Sequence, residues 1–393
     1  MAGYIFTVSK EQWKNVCKTE LVQGFFSPFT PTIPVASGTK RRTSTKIVSA
    51  FFGDLITMKP GDNIYFLSNR RLYGVAQACL VGNDCKYDNY EGASSLLPVS
   101  NNPERTYLTT KNPRARWVVF FEPCPFMFNK GADMDDVLSF RPSAFKMLRA
   151  FEKVSFIKID DEENRALKEY ISLLNDDCYN TASTMKFDNS LHEKLAKTDL
   201  SKYAMDINKA LSHEENRKYL NSEMFIEVAF LQQIIRKETD VVGDWDYLSQ
   251  QVIASPFKPV KYIDKIDILG YRFSKQYKEK PELITKFLIV ELKKDKINQS
   301  AVEQLMQYVD WVCQEYASGD YSRVEAYALG DDYSQRFYKS DFEFACQRSF
   351  IKTTHPVEPI EWKDVKMIKY EFKDDKLSFS IIDPSWLPEK KQK

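Results

Sequence analysis

The stretch FLIVELKKDKINQSAVEQLMQYV, residues 287–309, constrains the fold of this chain more than any other. It begins with an uninterrupted apolar run, which is typical of a strand buried on both faces. It ends with apolar residues three and four apart, which predict an amphipathic helix. A further strand, RVEAYALG, follows at 323–330. A strand, a helix and a strand in this order predict a right-handed parallel crossover in an α/β sheet. The predicted inner face of the helix comprises Val302, Leu305, Met306, Val309 and Val312.

Two unlike charges, Glu291 and Lys293, stand at the end of this buried strand. Residues two apart on a strand share a face, so both side chains point the same way. Asp267 lies on a second predicted strand, 261–273, and Glu223 begins a helix predicted at 222–235, with Ser222 as its N-cap. We therefore expect three carboxylates and one lysine to converge.

Metal-assisted hydrolysis of a phosphodiester requires such a set. Carboxylate oxygens suit Mg²⁺, which keeps open positions for water and phosphate. The lysine can orient the attacking water or stabilise developing negative charge. Gln304 and Tyr308 are four apart on the predicted helix, so they share a face and are placed to hold the lysine or contact phosphate.

The series Asp267, Glu291-Leu-Lys293 and Gln304-x-x-x-Tyr308 resembles the PD-(D/E)xK nuclease superfamily. Within it, the run VELKKDKINQSAVEQLMQYV is similar to the NucS mismatch endonucleases and the Shedu antiphage nucleases. The resemblance covers 222 to about 330 and implies a restriction-endonuclease-like α/β core, a mixed sheet flanked by helices. It further implies catalytic residues and Mg²⁺, with Mn²⁺ as an alternative: metal ligands Asp267, Glu291 and Glu223, the catalytic Lys293, and the supporting Gln304 and Tyr308.

Several assignments stay open at this point. No proline precedes Asp267, and Asp264 is the acid if the register slips by three residues. Glu223 fits a first-turn acid as well as a ligand, and Glu227 competes with it. Tyr308 fits the rim of a core as well as a site. An E-x-K triplet by itself is most often a solvated face.

Residues 1–175 predict a mainly β domain. Short β-branched and aromatic runs, bounded by turn residues such as Gly61-Asp62, alternate along its first part. Two helices are predicted near its end, RPSAFKMLRAF at 141–151 and DDEENRALKEYISLL at 160–174. We interpret the whole as a small barrel with flanking helices.

The segment GDNIYFLSNRRLYGVAQA is similar to the PUA-like group, which includes the EVE and YTH readers. The resemblance implies a PUA-like barrel with an aromatic pocket for a flipped base. The candidate aromatic residues are Trp13, Phe25, Phe26 and Trp117. Each of them also fits a buried core.

Two basic spots in this domain are candidates for phosphate contact. The first is the loop GTKRRTSTK at 38–46, with Lys40, Arg41, Arg42 and Lys46. The second is Arg70-Arg71 at a predicted hairpin tip. Solvated loops without a ligand are the alternative for both.

The rest of the chain divides into a predicted linker and a nuclease domain. Residues 176–221 are polar with weak helical periodicity, so we interpret them as a partly helical linker. Residues 222–393 form the nuclease domain, which ends in a hairpin, KMIKYEF-KDD-KLSFSII, at 366–382.

Composition limits the function classes. The chain of 393 residues carries 56 basic and 55 acidic residues, so a nucleic-acid surface has to be a local patch. The seven cysteines show no metal-ligand spacing, which suits a reducing cytosol. No basic-then-apolar signal and no long apolar run is present, so we expect a cytoplasmic protein without a membrane partner.

The candidate site and the resemblance to PD-(D/E)xK nucleases together predict a metal-dependent DNA endonuclease, and the resemblance to Shedu nucleases implies a role in bacterial antiphage defence. DNA is the expected partner, and a homo-oligomer, dimer or tetramer, is expected by analogy with nucleases that pair two sites. Two alternatives remain open, a mismatch- or structure-specific repair endonuclease and a non-catalytic DNA-binding protein on a nuclease fold.

Overall fold

The computed structural model shows a mixed α/β chain with several sheets, including a curled half-barrel. The structure describes residues 1–18, 21–29, 48–95, 104–149, 156–178, 186–211, 222–254, 264–274, 283–373 and 376–390. The chain divides into two compact units, Met1–His213 and Glu214–Lys393.

The first unit is mainly β, as predicted. Its described strands are β1 Gly3–Thr7, β2 Cys17–Lys18, β3 Leu21–Gln23, β4 Phe25–Phe26, β5 Asn63–Ser68, β6 Arg71–Ala78, β7 Lys86–Asp88, β8 Trp117–Pro123, β9 Ala132–Asp133, β10 Phe156–Ile159 and β11 Lys186–Asp188. Its described helices are α1 Lys10–Val16, α2 at 48–56, α3 Met134–Phe140, α4 Asp161–Leu174, α5 Ser190–Ala196 and α6 Asn208–Leu211.

An eight-stranded sheet organises this unit, in the order β10-β1-β5-β6-β8-β4, with β7 added to β8 and β9 to β6. The pair β1–β5 is parallel and the other described pairs of this sheet are antiparallel. Gly61 takes φ +95° in the turn before β5, a conformation that only glycine adopts without strain. The Asp62 carboxylate then accepts hydrogen bonds from the amides of Ala2 and Lys59, which ties this turn to the N-terminus.

The prediction of a helix at 141–151 is wrong in the part that the structure describes, 141–149. Residues 141–149 form turns and bends, and the preceding helix α3 ends at Phe140. The buried Glu163 explains the difference, because its Oε1 accepts hydrogen bonds from the amides of Lys146 (2.8 Å) and Leu148 (3.0 Å). These two amides are thereby directed to a side chain of α4 instead of to helical carbonyls.

The segment predicted as a linker belongs largely to the first unit. Strand β11 pairs in parallel with β3, and α5 follows it. Leu195, Leu200 and Tyr203 are buried in one cluster with side chains of β7 and β8. Apolar burial of this kind stabilises a fold at roughly 25 cal/mol per Å², so residues 186–211 contribute to the core. The described residues beyond 211 resume at 222.

The second unit contains a six-stranded mixed sheet in the order β12-β13-β14-β15-β18-β19. Its described elements are α7 Glu223–Arg236, β12 Tyr247–Ile253, β13 Lys265–Phe273, β14 Ile284–Leu292, α8 Gln299–Glu315, β15 Val324–Gly330, α9 Lys339–Cys346, β16 Arg348–Thr354, β17 Val357–Trp362, β18 Val365–Lys373 and β19 Lys376–Ile382. Strands β16 and β17 form a separate two-stranded sheet.

Strand β14 is central in this sheet. It is antiparallel to β13 and parallel to β15, so the predicted parallel crossover through α8 is confirmed. All five predicted inner-face residues of α8 are buried. The C-terminal hairpin is also confirmed as β18–β19, and β18 joins the main sheet in parallel with β15.

Candidate active site

The site begins with two acids on neighbouring strands. Ile268 of β13 pairs with Val290 of β14, which places Asp267 and Glu291, one step further along the same register, opposite each other. Opposite residues of an antiparallel pair project from the same face. Asp267 Oδ2 accepts a hydrogen bond from the Leu292 amide at 2.7 Å. Asp264, the alternative acid, is exposed and lies just before β13.

Lys293 lies beside this acidic pair, at the end of β14. Its amide donates to Leu329 O of β15 at 2.8 Å, which continues the parallel ladder by one residue. Its Nζ donates to Glu291 Oε1 at 2.6 Å and to Gln304 Oε1 at 3.1 Å. The structure therefore brings the predicted E-x-K pair into direct contact, with the ammonium fixed between a strand and a helix.

Helix α8 supplies the other contact of the lysine. Asn298 caps its N-terminus by accepting from the Ala301 amide at 3.0 Å. Gln304 and Tyr308 share a face, and Gln304 Nε2 donates to the Tyr308 hydroxyl at 3.1 Å. Tyr308 is buried, so it holds Gln304 from the core side. The predicted pair thus positions Lys293.

The two acids of α7 occupy different places. Glu223 is exposed at the first turn, and its Oε1 accepts from the Lys294 amide at 3.4 Å. Glu227, one turn later, is 1% exposed, and its Oε2 accepts from Gln251 Nε2 at 3.2 Å. Glu223 therefore lies at the rim beside the lysine strand, while Glu227 reaches the interior beside β12.

Burial and like charge govern the electrostatics of the acids. Burial, reinforced by the negative charge of Asp267, raises the pKa of Glu291 to about 8. Burial also raises the pKa of Asp267, although the Leu292 amide opposes the shift. Burial lowers the pKa of Lys293, but the hydrogen bond with Glu291 and the negative charges of Glu291, Asp267 and Glu223 together outweigh it, so that pKa is raised overall. The ammonium is therefore charged at neutral pH beside two acids that resist joint ionisation.

The acidic pair fits a small, hard divalent cation. The atoms that the pair offers to a metal are carboxylate oxygens. Of these, the buried Glu291 Oε2 receives no hydrogen bond from any described residue. Mg²⁺ is commonly held by one or two carboxylates with water and substrate phosphate. Among the described residues, no group of three or more His, Cys, Asp or Glu side chains is arranged to hold a metal ion. Asp267 and Glu291 therefore supply two oxygen ligands of the kind that the cation prefers, and Glu223, the predicted third ligand, does not complete a group of three with them.

Two residues of the site are absent from the sequence prediction. Gln251 of β12 donates its Nε2 to Asp267 Oδ1 at 3.0 Å, and its backbone takes φ +51°. The hydroxyl of Tyr370, on β18, donates to the carbonyl of Lys294. The polar run SQQ gives no strand signal, and Tyr370 falls in the predicted C-terminal hairpin. The parallel pairing of β18 with β15 is what brings that tyrosine to the site.

The predicted basic spots lie in the first unit. Lys40, Arg41, Arg42 and Lys46 lie outside the described residues. Asn69 (φ +51°) and Arg70 (φ +61°) form the two-residue turn between β5 and β6, so the predicted hairpin tip is confirmed. Arg70 forms an exposed ion pair with Asp135 at 2.8 Å, and Arg71 is exposed at the start of β6.

The four aromatic candidates have different surroundings. Trp117 is fully buried and stacks on Phe51 with 5.7 Å between ring centroids, so it belongs to the core. Trp13 packs against Tyr73 at 4.7 Å. Phe25 and Phe26 line a cavity of about 180 Å³, together with Gln12, Val16, Gln23, Ser27, Phe29, Thr109 and Thr110. Of the four candidates, Phe25 and Phe26 are the two that line this cavity.

No protein-family model matches the sequence, and no curated protein matches it. In the described part of the chain, no helix combines the length and the apolar character needed to cross a membrane.

Proposed function

We propose that this chain is a metal-dependent DNA endonuclease that hydrolyses phosphodiester bonds. The observation that carries the proposal is the pairing of Asp267 and Glu291 on adjacent strands, with the Lys293 ammonium 2.6 Å from one of them. An ion pair on a protein surface needs no such surroundings, whereas a buried and a half-buried acid, both of raised pKa, beside a lysine are typical of functional sites.

Each residue has a separate task in this proposal. Asp267 and Glu291 would hold Mg²⁺, which when bound would polarise a phosphoryl oxygen and make water more acidic. Lys293 stabilises the negative charge that develops during hydrolysis. Gln304, backed by Tyr308, keeps Lys293 in place, because its Oε1 accepts from Nζ. Glu223 at the rim adds negative charge near Lys293 and Asp267.

The biological setting of the proposal comes from the resemblance to Shedu nucleases, which favours defence against phage. In the same proposal, the first unit is PUA-like and engages DNA, and two or four copies assemble in the cytoplasm so that two sites cut both strands. The exposed Arg71 and the cavity at Phe25 and Phe26 support a DNA-facing role for the first unit. Phosphate contacts would supply affinity without sequence information.

The direct test is cleavage by the purified full chain. Supercoiled, linear and base-modified DNA are each incubated with the protein and Mg²⁺, with Mn²⁺, or with chelator. We expect cleavage with either metal and none with chelator. The Asp267→Asn variant is the matched control against a contaminating nuclease, and it should not cut.

Intact DNA with every substrate and either metal, from protein shown to be folded by circular dichroism, would overturn the proposed activity. Retained DNA binding in that case would favour the non-catalytic alternative. Light scattering measures the assembly separately, and a monomer at assay concentration would contradict the pairing of two sites.

A further inference from the structure

Gln251 has a backbone conformation that its strand does not require. It lies inside β12, where Gln250 pairs with Ile268 and Val252 pairs with Ile266. Its φ of +51° is in the left-handed region, which a residue with a side chain adopts at a cost. Such conformations persist where the surroundings impose them, and they cluster at functional sites. The position opposite Gln251 in this register is that of Asp267.

The side chain of Gln251 connects two acids on two different elements. Its Nε2 donates to Asp267 Oδ1 on β13 at 3.0 Å and to Glu227 Oε2 on α7 at 3.2 Å. The other oxygen of Asp267 is held by the Leu292 amide at 2.7 Å. Both oxygens of Asp267 therefore have a donor, which fixes the plane of the carboxylate toward Glu291.

A neutral amide is suited to this position. It donates two hydrogen bonds to two acids without adding a positive charge that would compete with a cation. A carboxylate at the same place would add a third negative charge. Residues that hydrogen-bond a metal ligand orient it, and their loss commonly lowers metal affinity about 10-fold to 100-fold.

We propose that Gln251 is a positioning residue of the metal site, and that its left-handed backbone serves to hold Asp267 in the orientation that binds the cation. The proposal rests on the proposed nuclease function and extends it to a residue on a third strand. Gln251 acts through Asp267 and through the tie to Glu227 of α7, and it has no task in the chemical step itself.

Two substitutions remove the amide, one in a backbone that stays strained and one in a backbone that is free to relax. Gln251→Met keeps the length and the strained backbone but removes both donors. Gln251→Gly relieves the strain and also removes the donors. We expect both variants to bind Mg²⁺ about 10-fold to 100-fold more weakly than wild type by calorimetry on the full chain. We also expect cleavage by Gln251→Met to recover most of the wild-type rate at saturating Mg²⁺, whereas Lys293→Met stays slow at any Mg²⁺ concentration.

Several results would overturn this inference. The first is an Mg²⁺ affinity of Gln251→Met equal to that of wild type. The second is a wild-type Mg²⁺ affinity of Gln251→Gly while Gln251→Met binds weakly. The third is a loss of cleavage rate in Gln251→Met that saturating Mg²⁺ does not recover. Failure of both variants to fold, by circular dichroism, would make Gln251 a folding residue and would also overturn it. Wild-type protein that neither binds Mg²⁺ nor cuts DNA would instead overturn the proposed function, so the two failures are distinguishable.

Discussion

Replacing Lys293 with methionine tests the catalytic assignment most directly. The Nζ contacts Glu291 Oε1 at 2.6 Å and Gln304 Oε1 at 3.1 Å, and the side chain is 31% exposed, so its charge acts in a partly desolvated place. Two unit charges about 4 Å apart interact by about 4 kcal/mol at an effective dielectric constant near 20. A half to a full charge developing on the phosphate at that distance is then stabilised by about 2–4 kcal/mol. The expected loss of rate is about 30-fold to 1,000-fold.

The assay is single-turnover cleavage with protein in excess over DNA and saturating Mg²⁺. DNA affinity is measured separately by fluorescence anisotropy, without a divalent cation. Lys294→Met is the matched control, because it removes the same charge from the next residue, whose side chain is 46% exposed and directed to Asp295. We expect Lys294→Met to cleave within about twofold of wild type, by the small effect typical of exposed charges. Cleavage by Lys293→Met at nearly the wild-type rate, or an equal loss in both variants, would refute the catalytic role.

Three further predictions concern other residues of the chain. Asp267→Asn and Glu291→Gln should each weaken Mg²⁺ binding in calorimetry, whereas Asp264→Asn should not. A larger effect of Asp264→Asn would show that Asp264, and not Asp267, is the metal ligand. Burial, aided by the negative charge of Asp160, raises the pKa of Glu163 from 4.5 to about 8. The protonated Glu163 therefore contributes fully to the free energy of unfolding below pH 4.5, and this contribution is lost as the pH rises through 8. Glu163→Gln should therefore flatten the fall in melting temperature over that window, and an unchanged fall would exclude Glu163 as its source. Replacing the four basic residues of 38–46 with alanine should flatten the slope of log K against log salt for duplex DNA by about 0.9 for each phosphate that the loop neutralises, and an unchanged slope would mean that this loop does not touch phosphate.

The sequence predicted the centre of the second unit well because its signals there are local. The apolar run of β14 and the apolar face of α8 each identify their element, and together they predict the parallel pairing with β15. The contact between Lys293 and Gln304 follows from the same two elements.

The features that sequence reasoning missed depend on tertiary structure. Strand β12 carries Ser249, Gln250 and Gln251 at its centre, and a polar run does not alternate as a half-buried strand does. The direction of the Gln251 side chain follows from its left-handed φ, which no spacing rule anticipates. In the first unit, Glu163 redirects the amides of Lys146 and Leu148 and prevents a helix that apolar spacing favours.

The pairing of β11 with β3 has a consequence for how the first unit is made on the ribosome. Strand β3 is synthesised early, and its parallel partner emerges only after most of the unit. At roughly 5–20 residues per second, β3 remains for many seconds with that edge unpaired. The side chains of β7 and β8 remain as long without Leu195, Leu200 and Tyr203. A fragment ended at residue 175 keeps that open edge permanently, and exposed edges favour aggregation. A fragment that ends at residue 213 includes β11, which pairs with this edge of β3. The fragment 1–213 should therefore stay monodisperse in gel filtration, whereas the fragment 1–175 should not.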